Sequence, residues 1–483
     1  MSDDVNSQLP LWSGLELVAP MGARVLGPHL PPVRGVSIDT RTLQPGDLFF
    51  AIRGEANDGH GFVAQAFEKG AAAAVVDEAH ADALKRLGTL YVVHDVLRAM
   101  EDLGRAARHR MTGMVCAVTG SVGKTSTKEM LKGVLSYAGK VHASVASYNN
   151  HWGVPLTLAR MPADTSFGIF EIGMNHADEI RPLTQMVRPH VAVITAIAPV
   201  HLENLGTIEA IADAKAEIFD GLEAGGVAII PRDTPHYIRL DNSARAAGAG
   251  TILCFGETAG ADARLISFEP QADGSLVTAD ILGERLTYRL GAPGRHLAQN
   301  SLAILLCARA VGVDMAQAAN QLQFATAPQG RGQQINLEIG GASATLIDES
   351  YNANPVSMRA ALTLLAQTPM PAIFGRRMAM LGDMLELGPD EIKLHAALAD
   401  VIVGLPIDLV HTVGPRMKAL HEALPAGKAG LHADKVSDII DALVDQVIPG
   451  DVVMIKGSNG IRMGSVVQAL KVCHTPQQDK SEG

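Results

Sequence analysis

Aromatic residues make up only 4% of this 483-residue sequence, with two tryptophans. Long apolar runs are missing too: no stretch of about 18 apolar residues occurs, so no membrane-spanning helix is expected. Cysteine is scarce. Cys116, Cys254, Cys307 and Cys473 lie far apart, with no pair at zinc or redox spacing, so they read as buried thiols in a reducing compartment. The net charge is −11 and no long basic run is visible, which argues against nucleic acid as a partner. The first residues, MSDDVNSQLPLWSG, are acidic and lack a signal-peptide pattern, so a cytoplasmic protein is expected. No short-period repeat, long heptad or large apolar patch appears, and a monomer is expected.

What the chain does have is small apolar residues. Hydrophobic content is 47% and charged content 19%, with Ala, Gly and Val prominent. Small side chains let helices pack closely on parallel sheets, so the composition suits α/β domains. At roughly 100–200 residues per domain the length implies about three.

Residues 1–110 read as a first unit, with short strands around Val36 and at 47–52, a helix at 61–69, a strand at 73–76 and a helix from 95 to 110 with Asp95 as its cap. Residues 111–325 form a second unit. Apolar strands at 115–118, 166–172, 190–197, 227–230 and 251–255 alternate with helices, which means βαβ units and a parallel sheet. Residues 264–290 alternate like antiparallel hairpins, and a helix follows at 296–311. Residues 326–475 form a third unit with strands at 344–348, 378–381, 409–413 and 452–456, a second doubly wound fold. Residues 476–483 read as a tail.

The sharpest motif is Thr119-Gly120-Ser121-Val122-Gly123-Lys124-Thr125-Ser126, set between a strand and a helix. Glycines let backbone N–H groups point inward, and the helix N-terminus adds positive potential, which makes a phosphate cradle. Lys124 can reach the β and γ phosphates, and the Thr125 hydroxyl can ligate Mg²⁺. The motif is not a full Walker A, because position 118 is Val.

Glu171 ends one apolar strand, and His201 follows another across Ala198-Pro199-Val200. Ligands gather at the carboxyl ends of strands in open α/β sheets. A carboxylate and an imidazole there can hold Mg²⁺, or can be a helix cap and a hydrogen-bonded histidine. Lys215 falls on the apolar face of a helix at 207–222, with Ile208, Ile211, Ile218 and Leu222. A buried lysine is costly, so it either snorkels out or is chemically changed.

Together these motifs resemble the Mur ligases of peptidoglycan synthesis, over nearly the whole chain. Further points of resemblance are Asp39-Thr40-Arg41, Pro45-Gly46-Asp47-Leu48-Phe49, Asp58-Gly59-His60, the segment from Asn149 and Asn150 to Pro155, the run from Asp348 to Pro355, and Lys456-Gly457-Ser458. One departure is His296-Leu297, where the family usually has Asn at the second position; Asn300 is kept.

The resemblance implies three α/β domains: an N-terminal UDP-binding domain, a central P-loop domain and a C-terminal Rossmann-like domain. It implies amide formation driven by ATP through an acyl phosphate, with Mg²⁺ and a lysine carbamylated by CO₂. The Tyr351-Asn352-Ala353-Asn354-Pro355 run points to substrates UDP-N-acetylmuramoyl-tripeptide and D-alanyl-D-alanine. Carried onto this sequence, ATP falls to Gly120, Ser121, Val122, Gly123, Lys124, Thr125, Ser126, Asn150, Asn300, Arg331 and Asp348. Metal falls to Thr125, Glu171, His201 and the carbamylated Lys215. The peptide and sugar substrates fall to Ser37, Asp39, Thr40, Arg41, Asp58, Gly59, His60, Tyr351, Asn352, Asn354 and Lys456. Lys124, Lys215, His201 and Arg331 are the catalytic group, and Asp383 and Glu386 are expected near the dipeptide. The rivals are a sister or folylpolyglutamate-type ligase that adds a single amino acid, and a P-loop switch ATPase. A switch would need neither the N-terminal segment nor a second doubly wound domain.

Overall fold

The computed structural model describes residues 9–54, 57–145, 147–200, 202–271 and 274–474. Their strands form three sheets of five, nine and six strands, in chain order. The five-stranded sheet runs Arg24–Leu26, Leu90–Val93, Ala73–Asp77, Asp47–Phe50, Gly35–Ser37, parallel except for its first strand. Its interior strands are buried apolar runs, as parallel strands covered on both faces must be.

Asp95 caps the helix Val96–Arg110, accepting from the Arg98 N–H at 2.8 Å. This helix packs on Gly153–Ala159 of the next unit, and Leu156 and Ala159 join the core of the first. Two side chains stitch the boundary: Trp12 Nε1 donates to the Ala159 carbonyl at 2.9 Å, and Arg160 Nε to the Val36 carbonyl at 2.6 Å. The first unit is therefore fastened to the second by a shared apolar core.

In the nine-stranded sheet, Met114–Thr119 lies between Val191–Ile194 and Phe167–Glu171, all parallel. Val118 is in register with Glu171, and Thr119 with Ile194, so three carboxyl ends meet at one edge. At the far side Ala263–Gln271, Gly274–Ile281 and Glu284–Leu290 form the expected antiparallel meander. Helices Lys124–Ser136 and Arg295–Ala310 cover one face of the sheet. The other face carries Gly153–Ala159, Ile180–Val187, Ile208–Ala216 and Tyr237–Ala246.

The helix expected at 207–222 is shorter. After Ile208–Ala216 the chain tightens into a 3₁₀ turn, Glu217–Gly221. The neighbouring helix causes this: Thr184 Oγ1 donates to the Ile218 carbonyl at 2.8 Å, and Glu217 accepts from the Asp178 and Arg181 N–H groups. Gly221 packs against the Thr184 backbone, where a Cβ would lie 2.2 Å from its carbonyl oxygen.

The six-stranded sheet runs Gln333–Ile339, Ala342–Glu349, Val452–Lys456, Arg377–Gly382, Leu409–Val413, Ala429–Ala433, with its first strand antiparallel. Among the described residues no helix is long and apolar enough to cross a membrane.

Candidate active site

The loop after Met114–Thr119 takes a shape that only glycine permits at two places. Gly120 has φ +148°, and a Cβ there would lie 2.0 Å from Thr195 Oγ1. Gly123 has φ +84°, and its Cβ would lie 2.7 Å from Asn300 Nδ2. The Ser121 N–H donates to the Ala196 carbonyl at 2.8 Å, and Ser121 Oγ both donates to the Ala198 carbonyl and accepts from the Ala198 N–H. The cradle is thus pinned to the end of the adjacent strand. Lys124 Nζ donates to the Gly120 carbonyl at 2.7 Å, which holds its ammonium over the loop. Burial lowers the pKa of Lys124; Glu171 opposes that shift and Arg331 adds to it.

Glu171 is fully buried at its strand end. Its Oε2 accepts from Thr125 Oγ1 and its Oε1 from Asn149 Nδ2, each at 2.8 Å. An octahedral Mg²⁺ shell with ligands at about 2.1 Å has an edge of about 3 Å. The Thr125 and Glu171 oxygens already stand at that separation, so this hard-oxygen pair fits the ion. Lys215 is 2% exposed and makes no hydrogen bond or ion pair with any described residue. Its pKa is driven well down, first by burial and then by the nearby Lys124 ammonium. His201 lies outside the described residues.

The loop, Asn149 and Glu171 face a cavity of about 600 Å³ whose opposite wall belongs to the C-terminal unit. The loop from Ser121 to Lys124, Asn149, Glu171 and Asn300 supply one side; Arg331, Glu349, Tyr351 and Lys456 supply the other. The Arg331 guanidinium stacks 4.1 Å over the Tyr351 ring and donates to Ser147 Oγ at 3.3 Å. Lys456 Nζ donates to Glu349 Oε2 at 3.0 Å and to the Asn352 carbonyl at 2.9 Å. His296 lines the cavity from the central unit, its pKa lowered by burial, with Glu349 opposing and Lys456 adding.

Several of the expected residues are held by internal hydrogen bonds or stand off this cavity. Asp348 was expected on the nucleotide, but it is 1% exposed and its carboxylate is committed: Oδ1 accepts from the Ser350 N–H and hydroxyl, and Oδ2 from the Gly330 N–H. Successive strand residues point to opposite faces, so Glu349 takes the cavity wall instead. Asn150 is exposed, and its Oδ1 accepts from the Trp152 and Gly153 N–H groups at a helix start; Asn149 is the residue that lines the cavity. Asn354 reaches the cavity wall, but its Oδ1 caps Pro355–Gln367 in a reciprocal box with Ser357. Asp383 is buried and accepts from the Met417 N–H at 2.7 Å; neither it nor Glu386 lines the cavity.

The N-terminal candidates lie at carboxyl ends of the first sheet, away from this cavity. Ser37 Oγ donates to the Asp39 carbonyl, Asp39 pairs with Arg41 at 2.7 Å, and Thr40 Oγ1 donates to Gln65 at 2.6 Å. Asp58 accepts from the His60 N–H and bonds its Nδ1 at 2.6 Å. Gly59 packs on the Ala51 and Ile52 backbones. Asp39 and Arg41 present polar atoms outward; His60 is buried under its stacking partner His80, ring centroids 3.9 Å apart.

A phosphate cradle on one domain, faced by cations on a second domain that has no such loop, is suited to joining a nucleotide's terminal phosphate to another substrate. The fold and site define an ATP-dependent ligase. Three family models match in chain order: the Mur ligase family catalytic domain at residues 32–111, the Mur ligase middle domain at 118–308, and the Mur ligase glutamate ligase domain at 330–459. The UDP-N-acetylmuramoyl-tripeptide–D-alanyl-D-alanine ligase of Rickettsia prowazekii is 32% identical, over 89% of this chain and 94% of its own. The crystal structure of MurF from Acinetobacter baumannii superposes with a TM-score of 0.83 at 29% identity, covering 95% of this chain and 98% of that one. The MurF ligase of Thermotoga maritima, solved in complex with ADP, gives a TM-score of 0.76 at 25% identity, covering 91% and 97%. The chain belongs to the Mur ligase family.

Proposed function

We propose that this enzyme joins D-alanyl-D-alanine to UDP-N-acetylmuramoyl-tripeptide at the expense of ATP, as a cytoplasmic monomer in peptidoglycan precursor synthesis. The observation that carries the reading is the shared cavity, with Lys124 and its loop on one wall and Arg331 and Lys456 on the other. The name of the Rickettsia relative supports the choice of substrates, and the ADP complex of the Thermotoga relative supports the nucleotide.

In this reading the tripeptide carboxylate oxygen attacks the γ-phosphorus, the bond to the ADP oxygen breaks, and an acyl phosphate forms. The dipeptide amine then attacks the acyl carbon. A C–N bond forms, the C–O bond to phosphate breaks, phosphate leaves, and the amine loses a proton. The first step brings two anions together, so Lys124 and Arg331 offset the repulsion and stabilise charge on the transferring group. Asn300 and Glu349 hold the nucleoside side of the cavity, and Lys456 orients Glu349 through its 3.0 Å bond. Thr125 and Glu171, with His201 and a carbamate on Lys215, would hold Mg²⁺, which would supply Lewis-acid polarisation of phosphate oxygens when bound. The 1–110, 111–325 and 326–475 divisions then correspond to UDP binding, ATP binding and acceptor handling, and closure of the third on the second excludes water from the acyl phosphate.

The test is a mass spectrum of the product formed from ATP, Mg²⁺, UDP-N-acetylmuramoyl-tripeptide and D-alanyl-D-alanine. The expected product gains the dipeptide less one water. Product formed from a single amino acid, and none from the dipeptide, would move the enzyme to the sister branch.

A further inference from the structure

Lys128 lies three residues beyond Thr125 on the helix Lys124–Ser136, on the same helical face, and it is fully buried. Its ammonium pairs with Glu129 Oε1 at 2.8 Å and donates to the Ser144 carbonyl at 2.6 Å. It stands outside the nucleotide cavity. Taking an ammonium out of water is costly, and a well-packed apolar side chain would serve stability as well.

Ser144 is the link from this lysine to the metal pair. Its N–H donates to the Ile169 carbonyl at 3.1 Å, and its Oγ accepts from the Glu171 N–H at 3.3 Å, so it is fastened to the strand Phe167–Glu171. Lys128 holds its carbonyl from the helix. Thr125 on that helix donates to Glu171 Oε2 at 2.8 Å. Lys128, Ser144, Glu171 and Thr125 thus close a ring between helix and strand, and a satisfied polar network of this kind fixes geometry. Beyond Ser144 the chain carries Ser147, which accepts from Arg331, and Asn149, which donates to Glu171 Oε1. Further on, Trp152 packs against the core of the first unit.

We propose that Lys128 is a positioning residue for the metal pair: by holding Ser144 it sets the separation between the helix that carries Thr125 and the strand that carries Glu171. This rests on the reading of Thr125 and Glu171 as Mg²⁺ ligands. Their two oxygens come from different elements, so the 2.8 Å between them depends on how closely helix and strand are drawn together. Mg²⁺ demands near-ideal octahedral geometry, so a small drift between the elements costs affinity.

The experiment measures Mn²⁺ binding to the full-length enzyme by electron paramagnetic resonance, with the β,γ-imido analogue of ATP present. It compares the wild type, Lys128→Met, Ser144→Ala and the double variant. Met fills a similar volume without the charge, and Glu129 is partly exposed, so its carboxylate stays hydrated; thermal unfolding checks the fold. Mn²⁺ affinity should fall about 10-fold in Lys128→Met, the scale for losing a group that orients a metal ligand. Turnover at fixed Mg²⁺ should fall with it, while KM for the UDP-linked substrate holds. Ser144→Ala should weaken Mn²⁺ binding in the same direction. The double variant should lose no more than Lys128→Met alone, because both changes open one ring. Unchanged Mn²⁺ affinity in a folded Lys128→Met would overturn the proposal, and so would additive losses in the double variant. If Lys128→Met does not fold, Ser144→Ala decides: it must weaken Mn²⁺ binding at an unchanged thermal midpoint. A wild type that binds the analogue but adds nothing to the analogue's own hold on Mn²⁺ would remove the metal pair itself, and this role with it.

Discussion

Thr125 Oγ1 donates to Glu171 Oε2 at 2.8 Å, joining the first turn of the helix after the phosphate loop to the end of the neighbouring strand. The register that pairs Val118 with Glu171 delivers the carboxylate to the loop, and Asn149 holds its other oxygen. Glu171→Gln keeps the size and the Thr125 contact but removes the charge a divalent cation needs. The Mg²⁺ concentration for half-maximal activity should rise about 10-fold or more, on the scale of a lost charged ligand. An unchanged Mg²⁺ titration would remove Glu171 from the metal site.

Lys124→Ala tests the cradle itself. The loop is pinned to the adjacent strand by the Ser121 bonds to Ala196 and Ala198, so its shape does not rest on the Lys124 ammonium alone. Turnover should fall by about 10²–10³-fold or more, the scale for removing one preorganised charge-stabilising group. The thermal midpoint should stay near that of the wild type. Near-normal turnover would show that the loop binds something other than the transferring phosphate.

The expectations most readable from the sequence were those with continuous apolar runs. Val452–Lys456 was expected at the residues where it occurs, because parallel interior strands are apolar on both faces. Edge strands were not legible: Gln333–Ile339 has a single buried residue, Leu337, and Val141–Ala143 has none. Side-chain direction at strand and helix ends was also hidden. Asp348 and Glu349 look equivalent in sequence, as do Asn149 and Asn150, and only the pleat and a helix cap separate the member that faces the cavity from its neighbour. Lys215 was legible because its cost on an apolar helical face is local.

The C-terminal unit should lose stability in mild acid through His411. This histidine is 1% exposed; Nδ1 accepts from the Leu431 N–H at 2.9 Å, and burial pushes its pKa down to about 4. Once the pH is below about 6.5 the unfolded chain binds a proton that the folded chain refuses. The unfolded state therefore holds more protons, stability rises with pH, and it is lost as pH falls from about 6.5 towards 4. The contribution is roughly 3 kcal/mol across that window, at 1.36 kcal/mol per unit. Urea midpoints at pH 7 and pH 4.5 should differ less in His411→Asn than in the wild type. An equal difference in both would assign the acid sensitivity to other groups, such as the buried His395.

Lys215 carries the last prediction. It is 2% exposed, has no partner among the described residues, and has the Lys124 ammonium near enough to depress its pKa further. Two ammonium groups near one another in a buried site repel, and the neutral form of Lys215 relieves that repulsion. A neutral amine is also the species that adds CO₂: the C–N bond forms, one proton leaves, and the product is an anion with two hard oxygens. That anion attracts Lys124 where the ammonium repelled it, and it suits a divalent cation beside Thr125 and Glu171. The modification thus converts a local repulsion into two attractions. Enzyme equilibrated with ¹³CO₂ should show one carbamate carbon resonance that is absent in Lys215→Ala. That variant should be nearly inactive and should regain part of its activity with a short carboxylate such as formate. No carbamate signal, together with activity independent of dissolved CO₂, would leave Lys215 as a plain buried amine.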